Sequence, residues 1–150
     1  MKATAAKAFV CGMCGYVSLK GEAPEKCPSC GAPETVFKEQ ADAINEPEDY
    51  DNLEDLEKKH VPQLSKTGCG LVEDECTDVH ALMGQVIHPM TGEHSIQHID
   101  FYVDKEFAGR VKLTPKGHPA GSFHLKPGGG KLTVVENCNL HGRWMNSMSL

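Results

Sequence analysis

Apolar side chains occupy alternate positions in Ile99-Asp100-Phe101-Tyr102-Val103. Such alternation predicts a half-buried β-strand, because successive side chains of a strand point to opposite faces of the sheet. The same spacing recurs upstream at Val79, Ala81 and Met83 and downstream at Leu132 and Val134. Pro- and Gly-containing turns at 115–117 and 127–130 separate such segments. From about residue 60 onward, the chain is therefore predicted to form an antiparallel β-sandwich.

Composition limits what kind of protein this is. A chain of 150 residues with 39% hydrophobic content forms one domain or two small ones. The formal net charge of −6 argues against nonspecific nucleic-acid binding. The acidic excess lies in residues 1–58, where twelve Asp and Glu accompany six Lys and Arg. No apolar run approaches the roughly 20 residues that cross a bilayer, and residues 1–9 do not resemble a signal peptide.

Four of the seven cysteines form two Cys-x-x-Cys pairs separated by twelve residues. They are Cys11, Cys14, Cys27 and Cys30. Each pair predicts a tight knuckle, with Gly15 and Gly31 letting the backbone curl toward the sulfur atoms. Four thiolates at this spacing predict a tetrahedral metal site, but spacing alone does not choose between structural zinc and redox-active iron.

The residues around these cysteines resemble a known module. Cys14-Gly15-Tyr16 and Cys27-Pro28-Ser29-Cys30-Gly31-Ala32-Pro33 are similar to a rubredoxin-type domain, in the short-spaced form found at the end of rubrerythrins. The resemblance covers about residues 9–38 and implies iron that carries one electron, with zinc as the alternative. Because these thiols favour a reducing environment, we expect a cytoplasmic protein.

A second set of potential ligands lies in three separated clusters. Its members are His60, His88, His94, Cys138 and His141. Together they offer four neutral imidazoles and one thiolate. Five protein ligands suit iron and leave a sixth position open for chemistry, whereas structural zinc prefers four ligands and no vacancy.

The segments that carry these ligands resemble the iron-site signature of superoxide reductases, the neelaredoxin and desulfoferrodoxin family. They read Lys59-His60-Val61-Pro62, His88-Pro89-Met90 with His94 following, and Cys138-Asn139-Leu140-His141-Gly142. The resemblance implies an immunoglobulin-like sandwich with one non-haem iron, four equatorial histidines and axial Cys138. It also implies that superoxide is reduced to hydrogen peroxide, that the iron held by the four N-terminal cysteines relays electrons, and that Lys59 attracts the anion.

The sequence departs from that family in places. Lys58 stands where many members carry a glutamate that covers ferric iron, and Glu57 is displaced by one position. If the segment is extended, that shift points Glu57 away from the iron.

We expect His80, His98, His118 and His124 to be surface or supporting residues. Cys69 and Cys76 are either inert thiols or a disulfide or redox pair.

These observations predict a mostly β protein that detoxifies superoxide as an oxidoreductase. We expect a rubredoxin-like domain at 1–38, an acidic linker at 39–58 with a short helix near 39–44, and a superoxide reductase sandwich at 59–150. We also expect a homo-oligomer that binds no nucleic acid or membrane and receives electrons from a protein such as a rubredoxin or its reductase. The alternative is a non-catalytic electron carrier or metal-binding sensor whose sites are filled.

Overall fold

The computed structural model describes residues 2–3, 8–72 and 75–150, and its regular elements are mostly strands. The strands are β1 (Lys2–Ala3), β2 (Ala8–Cys11), β3 (Val17–Ser18), β4 (Phe37–Gln40), β5 (Ile44–Glu46), β6 (Pro62–Gly68), β7 (Thr77–Met83), β8 (Ile96–Val103), β9 (Glu106–Lys112), β10 (Ala120–Leu125), β11 (Lys131–Cys138) and β12 (Gly142–Ser149). The helices are α1 (Asp55–His60) and one 3₁₀ turn (Glu34–Val36). The predicted mostly β class is confirmed.

Two sheets build the C-terminal sandwich. One has the order β1-β5-β12-β11-β8-β9 and the other the order β10-β7-β6. The strands predicted from alternation are confirmed as β7, β8 and β11, whose inward side chains, including Val79, Ile99, Phe101 and Leu132, are fully buried. The core between the sheets therefore follows the alternation in the sequence.

The N-terminal unit packs on the sandwich and shares a core with it. A small sheet of order β3-β2-β4 carries the first cysteine knuckle. The ring of Tyr16 stacks on Tyr102 of β8 at a centroid distance of 5.9 Å, and the Tyr102 hydroxyl donates to the carbonyl of Val17 at 2.7 Å. Arg110 of β9 donates to the carbonyl of Cys14 at 2.7 Å. These contacts fix the knuckle against the sandwich.

The acidic segment differs from its prediction. The short helix expected near 39–44 is wrong, because β4 ends at Gln40 and β5 begins at Ile44. Ile44 is buried, and β5 pairs in parallel with β12, beside the last predicted ligands. Ala43 and Ile44 are buried in an apolar cluster that also contains Val17 and Tyr102. The domain boundaries at 38 and 58 stay a prediction.

Candidate metal centres

Four histidines surround one point at the end of the sandwich. Neighbouring ring centroids in the order His60, His88, His94, His141 lie 4.6 to 5.0 Å apart around the closed set. Across the set, His60 and His94 are 6.4 Å apart. Adjacent rings are therefore closer than the opposite rings of His60 and His94, as at the corners and across the diagonal of a square. Potential ligand atoms of His60, His94, Cys138 and His141 all lie within 4.8 Å of one another.

The first side of this square depends on the close approach of a loop to α1. His60 is the last residue of α1. A loop from β7 to His88 crosses the end of this helix, where the Val86 amide donates to the carbonyl of Lys58 at 3.1 Å. A Cβ at Gly84 would clash with the same carbonyl, so glycine is required at this crossing. The loop brings His88 against His60.

The opposite side is held by Asn139, which sequence reasoning did not single out. Its side-chain oxygen accepts from the Ser95 amide at 2.9 Å, and its side-chain nitrogen donates to the Glu93 carbonyl at 2.9 Å. Asn139 lies between Cys138 and His141, while Glu93 and Ser95 flank His94. One amide side chain therefore clamps two ligand-bearing loops together.

Hydrogen bonds orient two of the imidazoles, and burial keeps the same two neutral. Nδ1 of His60 donates to the Leu56 carbonyl at 2.7 Å, and Nδ1 of His88 donates to the Pro89 carbonyl at 2.7 Å. Burial lowers the pKa of His60 and of His88 to about 4, so both are neutral at pH 7. Nε2 of His60, His88 and His94 is buried without a hydrogen-bond partner among the described residues. Donation from one ring nitrogen with the other free is how proteins present histidine to a metal.

Behind the square lies Cys138, buried at the end of β11. Burial raises the pKa of the Cys138 thiol, so its thiolate needs a neighbouring cation. Burial also raises the pKa of fully buried Glu136 well above its usual value. A neutral carboxyl at 136 avoids a second buried anion close to the thiolate. The donor set therefore fits a metal cation.

Trp144 supports two of the histidines, and sequence reasoning missed it. This residue of β12 is fully buried, and its indole stacks on His60 at a centroid distance of 5.1 Å. Its ring N–H donates to the carbonyl of His141 at 3.0 Å. Trp144 is the chain's single tryptophan and follows the last histidine–cysteine motif closely, and these two facts could have indicated its supporting role.

Part of the square is accessible to solvent. His94 is partly exposed, and His141 and Lys59 are more accessible than the buried pair His60 and His88. Lys59 lies close enough for its charge to contribute to lowering the pKa of His60 and of His94, after the larger effect of burial. The assumption that residues 57–59 are extended is wrong, since they belong to α1. Buried Glu57 accepts from the Glu54 amide at 2.7 Å in the capping box of this helix.

The four N-terminal cysteines also form a compact site. Sγ atoms lie 3.7 Å apart for Cys11 and Cys30, and 3.6 Å apart for Cys14 and Cys27. A tetrahedron with metal–sulfur bonds of about 2.3 Å has edges of about 3.8 Å, so the arrangement fits iron or zinc. Burial raises the pKa of Cys14 to about 12, and a bound cation would offset that cost of forming the thiolate.

The remaining histidines do not join the square. His80 hydrogen-bonds Ser122 at 2.8 Å. His98 is buried and neutral, since burial and nearby arginines lower its pKa to about 3. His118 is exposed, and His124 lies beside Cys69 and Cys76.

Comparisons with known proteins match both parts of the chain. The family model described as desulfoferrodoxin matches residues 52–147, and that of the rubrerythrin rubredoxin-like domain matches residues 9–38. The chain is 32% identical to a desulfoferrodoxin of Syntrophotalea carbinolica, over 91% of each chain. It is 33% identical to a superoxide reductase of Pyrococcus horikoshii, over 62% of this chain and 88% of the relative.

A solved structure shows the same fold. The superoxide reductase of Treponema pallidum superposes with a TM-score of 0.58 at 24% identity, over 92% of this chain and 98% of the other. Both resemblances read from the motifs, and the predicted combination of a rubredoxin-like unit with a β-sandwich, are confirmed.

Proposed function

Since this chain belongs to the desulfoferrodoxin family, we propose that it is a superoxide reductase that converts superoxide to hydrogen peroxide at a mononuclear non-haem iron. The observation that carries this proposal is the square of four imidazoles, which has buried Cys138 close to it and is partly accessible to solvent at His94 and His141. The imidazoles of His60, His88, His94 and His141 and the thiolate of Cys138 would hold the iron. Iron, when bound, supplies one electron to superoxide.

The chain's own residues prepare the site for a small anion. Neutral His60 and His88 offer lone pairs without adding charge, and the carbonyls of Leu56 and Pro89 hold the two rings in place. Exposed Lys59 places a cation near His94 that attracts superoxide. Access of solvent to the site lets water deliver the two protons that hydrogen peroxide requires.

Product stoichiometry tests the proposal. Reduced, iron-loaded protein mixed with superoxide is expected to form one hydrogen peroxide for each superoxide and no oxygen. Oxygen release would indicate dismutation instead. Azide added to the oxidised protein is expected to change its visible absorption, whereas an unchanged spectrum would favour the electron carrier or sensor with a filled site.

Lys59→Ala is expected to slow the second-order reaction with superoxide several-fold, because the anion loses its nearest attracting charge. The wild-type rate is expected to fall with added salt, since screening acts over about 10 Å at 0.1 M ionic strength. Stopped-flow or pulse-radiolysis rates measure both effects. Lys66→Ala, an exposed lysine on β6, is the charge-matched control. Equal rates for the two variants would show that Lys59 is an ordinary surface charge with no special role in attracting superoxide.

We further propose that the metal of the four-cysteine site is iron and relays electrons to the second iron within one chain. A Cβ at Gly15, next to ligand Cys14, would lie 3.5 Å from Cε1 of His98, so the knuckle backbone closely approaches this ring. His98 on β8 pairs with Asn137, the residue before Cys138. The covalent and contact path between the two sites is therefore short.

Cys27→Ser is expected to abolish the four-cysteine site and leave superoxide reduction intact when a small-molecule reductant supplies the electron. Turnover supported by a rubredoxin or its reductase is expected to fall strongly, because the relay is lost. Iron analysis with both assays checks the prediction. Equal losses with both reductants would mean that the first site does more than supply electrons.

Cellular context completes the proposal. We propose a cytoplasmic location, because the cysteines act as free thiolates toward metals, and a rubredoxin or its reductase as donor. The expected homo-oligomer stays a prediction. Within the part of the chain that the structure describes, no helix has the length and apolar character needed to span a membrane.

A further inference from the structure

A third cluster of potential metal ligands lies at the far end of the three-stranded sheet. Cys69 and Cys76 close the hairpin between β6 and β7, where the Cys69 amide donates to the Cys76 carbonyl at 3.0 Å. Asp78 of β7 lies directly opposite His124 of β10 in the strand register. Ligand atoms of all four side chains lie within 4.8 Å of one another.

The two sulfur–nitrogen distances in this cluster match those between ligands of one ion. Nδ1 of His124 lies 3.4 Å from Sγ of Cys69 and 3.8 Å from Sγ of Cys76. Tetrahedral zinc with bonds of about 2.3 Å to sulfur and 2.0 Å to nitrogen separates these ligand atoms by about 3.5 Å. Asp78 contacts Nδ1 of His124, and its carboxylate lies 3.9 Å from Sγ of Cys76. The carboxylate is thus placed to supply a fourth ligand.

Backbone amides support Cys69 as they support the other candidate thiolates. The Leu71 amide donates to Sγ of Cys69 at 3.4 Å, from two residues further along the chain. The same relation holds at the three cysteines Cys14, Cys30 and Cys138, which receive hydrogen bonds from the amides of Tyr16, Ala32 and Leu140. Amide donors that point at sulfur stabilise thiolate and orient it toward a metal. The hairpin end therefore has the local design of a knuckle.

We propose that Cys69, Cys76, Asp78 and His124 bind a structural zinc ion. A mixed set of two thiolates, one imidazole and one carboxylate suits zinc, and four protein ligands close the site. The ion would fasten the β6–β7 hairpin end to β10. The seven-residue strand β6 separates His60 from Cys69. At about 3.3 Å per residue, the zinc therefore lies roughly 20 Å from the histidine square. Its role is to stabilise the sheet, separate from the reaction.

Metal counting on the intact protein tests this site without any activity assay. Wild type is expected to hold one more zinc per chain than His124→Ala, measured by mass spectrometry of the metals. His80→Ala is the matched control, because His80 lies on β7 and belongs to none of the three clusters. His124 is exposed, so its loss should leave the fold intact. Equal zinc in wild type and His124→Ala would overturn the proposal.

Counting thiols distinguishes the zinc site from a disulfide between Cys69 and Cys76. Chains unfolded under non-reducing conditions with a chelator are expected to alkylate at both Cys69 and Cys76. A bridged pair that resists alkylation would overturn the zinc site. Chelation should also lower the melting temperature of wild type by more than that of His124→Ala, because an ion that binds only the folded chain stabilises it and the variant keeps only the other two sites. Equal shifts in both proteins would place the stabilising metal elsewhere.

Discussion

Cys138→Ser is expected to lower the rate of superoxide reduction by more than about a hundredfold. Changes to residues that merely support metal ligands cost about 10- to 100-fold, and this change removes one of the proposed ligands itself. A serine hydroxyl stays protonated at neutral pH and donates far less electron density than a thiolate. The visible absorption due to thiolate and iron should disappear from the second site while that of the four-cysteine site remains. Rapid kinetics and the absorption spectrum measure both effects.

His118→Ala is the control for that experiment. His118 is an exposed histidine outside the square, so its loss should leave the rate and the spectrum unchanged. A Cys138→Ser protein with full iron content and a normal rate would refute Cys138 as the axial ligand. It would not bear on the zinc site, whose metal count does not depend on turnover.

Local patterns in the sequence predicted a large part of this molecule. Alternation around Ile99 and Phe101 predicted a strand with one face in the core, because the two-residue period fixes which side chains point the same way. The other face, with Asp100 and Tyr102, is also buried, which the alternation did not predict. The spacing of the cysteine pairs predicted the first site because two tight knuckles bring four sulfurs together. The three histidine and cysteine motifs predicted residues that the structure does bring to one point.

Errors arose from one missed local signal and from contacts distant in sequence. The argument about Glu57 depended on the condition that the segment before His60 is extended, yet a capping box between Glu54 and Glu57 starts a helix there. A helical turn places residues three apart on one side, so Glu57 and His60 are neighbours, and the argument that Glu57 points away no longer holds. The Cys69 and Cys76 pair could not be interpreted without β10, since His124 enters the cluster from another strand.

Trp144→Ala is expected to lower the free energy of unfolding by about 3–5 kcal/mol, the usual cost of removing a large buried aromatic side chain. The fully buried indole stacks on His60, so the variant should also lose iron from the second site. Chemical denaturation and metal analysis measure these two effects. Leu140→Ala is the control, because this side chain lies in the same ligand loop but is 60% exposed.

Trp144→Phe separates packing from orientation of the ligands. Phenylalanine keeps an aromatic ring against His60 but cannot donate to the carbonyl of His141. We expect a smaller loss of stability, about 1 kcal/mol for the missing hydrogen bond, together with weaker iron binding because the His141 loop is no longer held. Competition with a chelator measures the iron affinity. Wild-type affinity in Trp144→Phe would show that the hydrogen bond does not position His141, and that Trp144 acts through its contact with His60.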